Sequence, residues 1–497
     1  MSKQDLAYWQ QRAETLTIEG RAFINGQYVD AVNKQTFDCI SPIDNRKLTD
    51  VAYCEQADAD LAVTAARQSF DSGVWSKAAP AKRKAVMLAF ADLIELHKEE
   101  LALLETIDMG KPIADSLAVD LGGTLRCIRW SAEAIDKIYD EVAPTPDNEL
   151  GMVTHEPCGV VAAIVPWNFP LQMASWKLGP ALAAGNSVIL KPSEKSPLTA
   201  IKLAALAKEA GIPDGVINVL PGYGHVIGKA LALHMDIDTL VFTGSTAIAK
   251  QLMIYAGESN LKRVWSEAGG KSPNIVFADA PNLDDAAQSA AGAFCFNQGE
   301  VCTAGTRLLI EESIKDEFIA KVINAVKTWV PGNPLDPKTN VGAIVDQTQY
   351  ERILGYISAG KEQGATLSTG GEAVEPVKNG YYISPTVFSD VDNKMDIAQE
   401  EIFGSVLSVL TFKDEAEAVA IANDTPYGLA AGIWTSNFSR AHKMAKAVRA
   451  GSVWVNQWDG GDMTAPFGGF KQSGNGRDKS HHAFSKYTEI KATWMKL

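Results

Sequence analysis

From residue 160 onward, short apolar runs alternate with amphipathic segments along the chain. The runs that begin at Val160, Val188 and Leu240 are continuously apolar, and a segment with helical spacing follows each of them. Strands that are apolar on both faces and separated by helices are typical of a parallel sheet covered on each side. The pattern starts again near residue 273 and continues to about residue 458. It therefore predicts two α/β units in tandem.

The pattern differs before residue 160 and at the end of the sequence. Segments 60–70, 82–107 and 125–139 have helical spacing, the stretch 140–157 becomes extended after a polar start, and residues 486–497 alternate like a strand. The two extended segments predict either a small separate sheet, which could join subunits, or edge strands of the main sheets. Periodicity alone does not distinguish these alternatives.

Composition narrows the class of protein. The 497 residues are 46% hydrophobic and 21% charged, as expected for a soluble protein of about three domains. The net charge of −14 disfavours nucleic acid or an anionic membrane as a partner, since both attract basic surfaces. No apolar stretch reaches the ~18 residues of a membrane span, and the N-terminal stretch lacks the apolar core of a signal peptide. We therefore expect a cytoplasmic location.

The cysteines and histidines predict neither a disulfide framework nor a metal site. Six cysteines form no C-x-x-C pair, and seven histidines lack H-E-x-x-H spacing. Cys302 lies among small residues in FNQGEVCTAG, which leaves room for a substrate at the sulfur, although a lone cysteine is more often an inert core residue. Cys295, which lies between aromatic residues in AFCF, is expected in the core.

Two motifs place charged or small residues where predicted strands end. Lys191 and Glu194 in KPSE could bind ribose hydroxyls, or could form a solvated loop. Gly244 and Ser245 in FTGS could present a helix N-terminus to a phosphate, although Ser245 is equally suited to capping that helix. The G-x-G-x-x-x-G at 222–228 is one residue longer than the dinucleotide-binding fingerprint and is weak evidence alone.

Two further polar residues follow apolar segments. Glu267 in WSEAGGKSPN precedes a Gly-Gly turn, where a partly buried carboxylate could act as a base or simply form part of the turn. Asn168 in PWNFP could donate to an oxyanion, although turn formation is the commoner use of asparagine.

Taken together and in this order, several motifs resemble the aldehyde dehydrogenase family across nearly the whole chain. They are PWNFP, KPSE, FTGS, EAGGKSPN, FNQGEVC, EEIFG and PFGGFKQSGNGR. The resemblance is greatest to aminoaldehyde-type members, such as the γ-glutamyl-γ-aminobutyraldehyde dehydrogenases of polyamine breakdown. It implies an α/β fold with two Rossmann-like parallel-sheet domains and a small β oligomerisation subdomain. The implied boundaries are 1–136 and 157–266 for the NAD-binding domain, 267–480 for the catalytic domain, and 137–156 and 481–497 for the oligomerisation subdomain.

The resemblance also implies a role for each matching residue. Cys302 would be the nucleophile, Glu267 the general base, Asn168 the oxyanion donor and Lys177 a lysine near the glutamate. The implied cofactor contacts are Trp167, Lys191, Glu194, Gly224, Gly228, Gly244, Ser245, Glu401 and Phe403. The cofactor would be NAD, because a carboxylate that grips the ribose hydroxyls repels a 2′-phosphate, with NADP possible.

The implied substrate is an aldehyde such as γ-glutamyl-γ-aminobutyraldehyde or 4-guanidinobutyraldehyde. An apolar tunnel with carboxylates at its mouth would suit such a chain. The expected substrate contacts are Asp120, Phe169, Met173, Trp176, Trp458, Asp459 and Phe467. For the two carboxylates the alternatives are structural, since Asp120 could cap a helix and Asp459 could shape a turn.

The sequence departs from the family pattern at a few positions. Ser405 replaces the proline usual in EEIFGP, Glu300 stands where glutamine is commoner, and Ser266 and Ala268 stand where leucines are usual. Three rival functions are a broad-specificity aldehyde dehydrogenase, a coenzyme A-acylating member and a silent structural member of the fold. The presence of Glu267 argues against the second, and the full catalytic set against the third. We expect a homodimer or homotetramer acting on a small-molecule aldehyde.

Overall fold

In the computed structural model of the chain, which describes residues 4–497, two seven-stranded sheets organise the fold. The first three residues of the predicted segment 1–136 lie outside the described residues. The strands are β1 (Ala22–Ile24), β2 (Gln27–Val29), β3 (Thr36–Ile40), β4 (Lys47–Ala52), β5 (Glu141–Ala143), β6 (Glu149–Pro157), β7 (Val160–Ile164), β8 (Ser187–Lys191), β9 (Ile217–Val219), β10 (Thr239–Thr243), β11 (Arg263–Glu267), β12 (Pro273–Val276), β13 (Arg307–Glu311), β14 (Thr366–Thr369), β15 (Ala373–Val374), β16 (Tyr382–Ile383), β17 (Thr386–Ser389), β18 (Val406–Phe412), β19 (Ala430–Trp434), β20 (Ser452–Val455) and β21 (Thr488–Lys496).

Helices cover the faces of these sheets. The α-helices are α1 (Leu6–Thr15), α2 (Gln56–Ser72), α3 (Pro80–Leu96), α4 (Lys98–Met109), α5 (Ile113–Asp115), α6 (Gly122–Ala134), α7 (Pro170–Ala184), α8 (Leu198–Glu209), α9 (Lys229–Leu233), α10 (Thr246–Glu258), α11 (Leu283–Cys295), α12 (Lys315–Val326), α13 (Gln347–Glu362), α14 (Asp396–Gln399), α15 (Glu415–Asn423) and α16 (Phe438–Ala447). Shorter helical turns are Ser116–Leu121 and Gly224–Gly228, which are π-helical, and Phe296–Gly299, Glu312–Ile314, Lys471–Ser473 and His481–Lys486, which are 3₁₀. Among residues 4–497, no helix combines the length and apolar character needed to span a membrane.

The first sheet has the strand order β11-β10-β7-β8-β9-β1-β2, in which β1 runs antiparallel to both of its neighbours, β9 and β2, and all other neighbouring strands are parallel. Its strands end in register, because Ile164 of β7 pairs with Lys191 of β8, and Thr243 of β10 pairs with Glu267 of β11. The last residues of these four strands therefore lie along one edge. Open parallel sheets bind their ligands at this carboxyl edge.

The second sheet has the order β14-β17-β18-β13-β12-β19-β20 and is parallel except for β14. Buried apolar residues pack on both of its faces, in one cluster around Ile275 and Phe388 and another around Phe294 and Leu308. The prediction of two tandem α/β units is confirmed, since each unit forms one of the two large sheets.

A separate three-stranded sheet forms from β5, β6 and β21, in the order β21-β6-β5. β21 pairs with β6 over nine positions, from Thr488 opposite Pro157 to Lys496 opposite Glu149. The two extended segments therefore form a small separate sheet and are not edge strands of the main sheets. Ile490 and Trp494 on β21 are 70% and 64% exposed.

Several elements differ from the sequence expectations. The helix predicted over 82–107 is two helices that meet at His97, whose backbone leaves helical geometry there and whose ring lies 2.9 Å from Glu100. The helix predicted over 125–139 begins at Gly122 and ends at Ala134. Strands β1 to β4 were not predicted; β2, β3 and β4 contain polar residues and lack the continuous apolar run of the buried parallel strands.

Candidate active site

A cavity of about 290 Å³ opens at the carboxyl edge of the first sheet, and loops from both large sheets line it. It brings together most of the site residues expected from the sequence. Those that line it are Trp167, Asn168, Phe169, Met173, Trp176, Gly244, Ser245, Glu267, Cys302, Glu401, Phe403, Asp459 and Phe467. Those that do not are Asp120, Lys177, Lys191, Glu194, Gly224, Gly228 and Trp458.

The loop that carries Cys302 follows α11 and is held in a tight backbone turn. Asn297 and Gln298 both have left-handed backbone angles, with φ of 49° and 58°. The Gln298 side-chain oxygen accepts a hydrogen bond from the Gly342 N–H at 2.9 Å, and the Asn297 amide donates to the Glu300 carbonyl at 3.2 Å. Such strain persists only where the surroundings impose it. These contacts hold the backbone of the loop as far as Glu300, two residues before Cys302.

Cys302 is half-buried and is one of six free cysteines among the described residues. Burial raises the pKa of its thiol, and the nearby Glu401, Asp459 and Glu267 raise that pKa further. The thiol is therefore protonated in this arrangement and needs a base to become nucleophilic. Cys295 is fully buried in an apolar cluster, as expected.

The amide of Asn168 lies beside the nucleophile loop. Its Nδ2 donates to the backbone carbonyl of Glu300 at 2.8 Å, and the carbonyl of Asn168 accepts from the Asn297 side chain at 3.1 Å. The amide group carries a second N–H, which is available to an oxygen atom in the cavity. This arrangement suits an oxyanion donor.

Glu300, which departs from the commoner glutamine, is fully buried with Oε1 accepting from the Val345 N–H at 3.1 Å. Burial raises the pKa of Glu300 well above its usual range. A neutral carboxylic acid has one acceptor oxygen and one donor group, as an amide does. The substitution therefore preserves the hydrogen-bonding chemistry of glutamine at this position.

Glu267, the last residue of β11, lies across the cavity with only 3% of its surface exposed. Neither of its carboxylate oxygens has a hydrogen-bond partner among the described residues. Burial raises the pKa of Glu267 well above its usual range, Asp478 raises it further, and Lys486 and Lys177 oppose the rise. A carboxylate with a raised pKa is a stronger base, as the proposed role needs.

Lys177 does not reach the cavity. It lies on α7 with its Nζ 2.5 Å from Oδ2 of Asp478, and both residues are buried. Asp478 lines the cavity and was not predicted as a site residue, because nothing in the sequence distinguishes it from a surface aspartate of the GNGRDKS loop. Only its buried contact with Lys177, which is distant in the sequence, distinguishes Asp478 from such a surface residue.

The expected cofactor residues lie at the carboxyl ends of β8 and β10. Lys191 is buried, and its Nζ lies 3.0 Å from Oε2 of Glu194, which is 30% exposed. Burial raises the pKa of Glu194, but the Lys191 ammonium outweighs it and holds that pKa below the usual range. An ionised carboxylate at this point suits a diol such as the adenosine ribose. A Cβ built on Gly224 would lie 3.9 Å from Lys191 Nζ, and one on Gly228 3.9 Å from Ile164.

Ser245 caps α10 and also lines the cavity. Its side chain accepts a hydrogen bond from the Ile248 N–H at 3.4 Å, so the capping alternative is correct. The thirteen-residue helix still directs its N-terminus at the cavity beside Gly244, which suits a phosphate. This edge of the first sheet therefore carries residues suited to a ribose and to a phosphate.

Glu401 and Phe403, two further residues expected at the cofactor, also line the cavity. Oε1 of Glu401 accepts from the Gly270 N–H at 3.1 Å, and burial raises the pKa of Glu401 to about 7. The Phe403 ring meets the Trp167 ring edge-to-face, with 5.2 Å between centroids. Phe403 has a φ of 62°, so its loop is held in a strained turn.

Two residues of α13 hold this strained loop, and the sequence analysis missed both. Gln349 donates to the carbonyls of Ile402 and Phe403 at 3.0 and 2.7 Å, and Arg352 donates to the carbonyl of Glu401 at 2.8 Å. The carbonyl of Ser405 accepts from the Thr386 N–H at 2.8 Å. The loop is thus fixed by hydrogen bonds although Ser405 replaces a proline.

The side of the cavity where the aldehyde is expected has an apolar wall. Phe169, Met173 and Trp176 line it from the start of α7, and the Phe467 ring lies 5.1 Å from the Trp176 ring. Trp458 is not among the residues that line the cavity, and its expected contact with the substrate stays a prediction; its partly exposed ring packs against Gly432. A Cβ built on Gly432 would lie 2.7 Å from that ring, so the missing side chain makes room for it.

Two oppositely charged side chains, Asp459 and Lys479, also line the cavity. Asp459 is exposed and has a φ of 55°, which agrees with the alternative that it shapes a turn. The Lys479 ammonium lies 5.1 Å from the centre of the Trp176 ring and 5.7 Å from that of Phe467. Burial lowers the pKa of Lys479, while Asp459 raises it. The mouth therefore presents a cation as well as the expected carboxylate.

Asp120 does not lie at the tunnel mouth. It is fully buried in the π-helical turn, with Oδ1 2.7 Å from the Lys111 Nζ, and it caps no helix. That ammonium also lies 3.8 Å from Glu105 and 3.9 Å from the centre of the Phe169 ring. The expectation failed because a charge with an equally buried partner is stable away from water. Asp120 is linked to the cavity through Lys111, which lies against Phe169, and through its chain neighbour Val119, which lines the cavity.

Comparisons with known proteins agree with this geometry. The model of the family described as "Aldehyde dehydrogenase family" matches residues 28–493. The chain is 55% identical over 497 residues to the NADP/NAD-dependent aldehyde dehydrogenase PuuC of Escherichia coli, covering 100% of both chains. It is similar to the solved indole-3-acetaldehyde dehydrogenase AldA of P. syringae in complex with NAD+ and IAA (69% identity, TM-score 0.99, 99% and 100% of the chains covered). It is also similar to γ-glutamyl-γ-aminobutyraldehyde dehydrogenase from Burkholderia cenocepacia (60% identity, TM-score 0.98, 99% and 100% covered). The chain therefore belongs to the aldehyde dehydrogenase family.

Proposed function

We propose that the chain oxidises an aldehyde to the carboxylic acid with NAD as the electron acceptor. The observation that carries the proposal is that Cys302, Asn168 and Glu267 line one cavity together with the residues suited to NAD. In the overall reaction the aldehyde, water and NAD+ give the acid, NADH and a proton. PuuC is named NADP/NAD-dependent, and the AldA structure is described in complex with NAD+.

The first half of the reaction needs a nucleophile and an oxyanion donor. Glu267 accepts the proton of the Cys302 thiol and releases it to solvent, and the thiolate sulfur attacks the aldehyde carbon. The carbonyl oxygen gains the electron pair, and the Asn168 amide stabilises this oxyanion in the thiohemiacetal. When bound, NAD supplies the acceptor for the hydride that leaves this carbon, so that a thioester remains on Cys302.

The second half releases the acid. Glu267 removes a proton from a water molecule, whose oxygen attacks the thioester carbon. The sulfur–carbon bond breaks, the sulfur leaves as a thiolate, and the acid departs. Retention of a buried carboxylate at this point favours water over coenzyme A as the acyl acceptor.

We propose an aminoaldehyde as the substrate, in the class of γ-glutamyl-γ-aminobutyraldehyde. Asp459 and Lys479 at the mouth present opposite charges, which suit a γ-glutamyl end with its ammonium and carboxylate better than a lone guanidinium. The name of the Burkholderia structure, a γ-glutamyl-γ-aminobutyraldehyde dehydrogenase, supports this choice. The second candidate is an aromatic aldehyde, favoured by the aromatic wall and by the name of the AldA structure.

We propose further that the protein is a cytoplasmic homodimer or homotetramer. Free cysteines suit a reducing compartment. The three-stranded sheet supports oligomerisation, because β21 presents exposed Ile490 and Trp494 along an unpaired edge. Sedimentation equilibrium of the purified protein tests the assembly, and a monomer at micromolar concentration contradicts it.

The function is tested by following NADH formation at 340 nm with γ-glutamyl-γ-aminobutyraldehyde, 4-guanidinobutyraldehyde, indole-3-acetaldehyde and an uncharged aliphatic aldehyde. Cys302→Ala should abolish turnover on every substrate while NAD binding persists, and Cys295→Ala is the matched control that keeps activity. Turnover above about one hundredth of wild type in Cys302→Ala contradicts the assignment. A rate that depends on added coenzyme A supports the acylating rival instead.

A further inference from the structure

One buried carboxylate next to the active site lies between two lysines. Oδ2 of Asp478 is 2.5 Å from the Lys177 ammonium, and Oδ1 of Asp478 accepts a hydrogen bond from the Lys486 ammonium. Each of the three side chains is no more than 2% exposed. Lys486 comes from the 3₁₀ turn His481–Lys486, which leads directly into β21.

A glycine brings Lys486 next to the proposed base. A Cβ built on Gly476 would lie 3.0 Å from Oε1 of Glu267 and 3.7 Å from Cδ of Lys486. The absence of a side chain at Gly476 therefore lets the carboxyl group and the lysine stem occupy the same side of the cavity wall.

The buried charges around Glu267 do not balance without it. The charged or titratable groups that face it are Lys177 from α7, Asp478 and Arg477 from the loop before the 3₁₀ turn, Lys486 from that turn, and Cys302 from the nucleophile loop. Arg477 is only partly buried, so water screens its charge, and its guanidinium donates to the carbonyls of Gly469 and Gly476.

The two buried lysines oppose the single charge of Asp478, which leaves one uncompensated positive charge in the interior. A buried charge without a partner is costly. An ionised Glu267 would remove the imbalance, whereas a protonated one would leave it.

We propose that Lys486 is a positioning residue for the general base: held by Asp478, its ammonium supplies the second positive charge that keeps Glu267 ionised near neutral pH. The inference rests on the proposed role of Glu267. It gives the segment 481–497, expected only in oligomerisation, a direct part in the active site.

The test is the pH dependence of kcat at saturating aldehyde and NAD. Glu267 works as a base only when ionised, so kcat rises with pH through its pKa. Loss of a neighbouring positive charge raises that pKa and moves the rising limb to higher pH. We expect a shift of about one pH unit, the smaller end of what a nearby opposite charge produces. We expect this shift in Lys486→Met and in Lys486→Gln, together with a kcat at pH 7 that is about two- to fivefold lower and a first-turnover burst of NADH of undiminished amplitude.

Two further variants separate charge from packing. Lys486→Arg retains the positive charge and should keep the limb at the wild-type position. Lys262→Met removes another buried lysine, which bonds to the Ala232 carbonyl and the Ser259 hydroxyl at the opposite end of β11. It should lower stability without moving the limb.

An unshifted limb in whichever neutral variant of Lys486 folds overturns the proposal. Failure of both to fold also overturns it, since Lys486 would then serve the fold and not the reaction. Glu267→Gln distinguishes failure of the proposed function: if the limb persists in that variant, Glu267 is not the base. If Glu267→Gln removes the limb while the Lys486 variants leave it in place, only the inference about Lys486 fails.

Discussion

The Asn168 amide donates a 2.8 Å hydrogen bond to the backbone carbonyl of Glu300, two residues before Cys302. The bond joins the loop after β7 of the first sheet to the nucleophile loop of the second unit. It therefore orients the amide and the sulfur with respect to each other before any substrate arrives. Preorganised donors of this kind stabilise an oxyanion without further rearrangement.

Asn168→Ala should lower kcat/KM by about 10²- to 10³-fold, the usual cost of one oxyanion donor. NAD affinity should change little, because the amide faces the aldehyde. Steady-state kinetics and a titration with NAD measure the two effects. Asn218→Ala removes a buried amide that bonds to Asn25 and Gly215 far from the cavity, and it should lower stability alone. Equal kinetic losses in both variants would contradict the role of Asn168.

Glu267→Gln should slow release of the acid more than the first formation of NADH, because the amide cannot activate water. Stopped-flow measurement should show a burst of NADH close to one equivalent, followed by a slower steady rate. If the burst rate and the steady rate fall by the same factor, the proton transfer from Cys302 depends on Glu267 more than hydrolysis does.

Glu194→Gln should shift the preference from NAD towards NADP. The wild-type carboxylate is ionised beside Lys191 and would repel a 2′-phosphate, whereas the amide would not. The ratio of kcat/KM for NAD to that for NADP should fall several-fold. Glu209→Gln, at the end of α8, is the control that should leave the ratio unchanged. A wild-type preference for NADP would show that Glu194 does not contact the ribose.

Asp120→Asn should reduce kcat/KM by a similar factor on charged and uncharged aldehydes and should also lower thermal stability. Removing one partner of a buried ion pair costs about 3–5 kcal/mol, which a second carboxylate can reduce. Glu105 lies 3.8 Å from Lys111, and burial and Asp120 raise the pKa of Glu105, so its ionisation would replace part of the lost charge.

Asp459→Asn is the matched comparison for Asp120→Asn, because Asp459 is an exposed carboxylate in the cavity. It should raise KM several-fold for the aldehyde with a charged end and leave the uncharged aldehyde unaffected, with no change in thermal unfolding. An effect of Asp120→Asn confined to the charged substrate would mean that Asp120 senses the substrate after all.

Much of the fold was predictable because it depends on local sequence. Continuous apolar runs such as 160–164 identify buried parallel strands, and residues such as Lys191 and Glu267 stand where those strands end. Pairings between distant residues left no comparable signal. Asp120 and Asp478 look alike in the sequence, yet one is buried with Lys111 and the other with Lys177 and Lys486. Gln349 and Arg352 were missed because an amphipathic helix does not reveal which loop its polar face will hold.

The pairing of β6 with β21 also bears on how the chain is made. Partners in this sheet are far apart in the sequence, as for Glu156 and Lys491, which are separated by 335 positions. During synthesis, both large sheets can begin to assemble while β6 still has one open edge, a state prone to mispairing with other chains. The sheet closes only after residues 488–496 leave the ribosome, and Lys486 arrives with them. Nascent chains stalled shortly before this point should therefore contain the cavity in outline but lack its full set of charges.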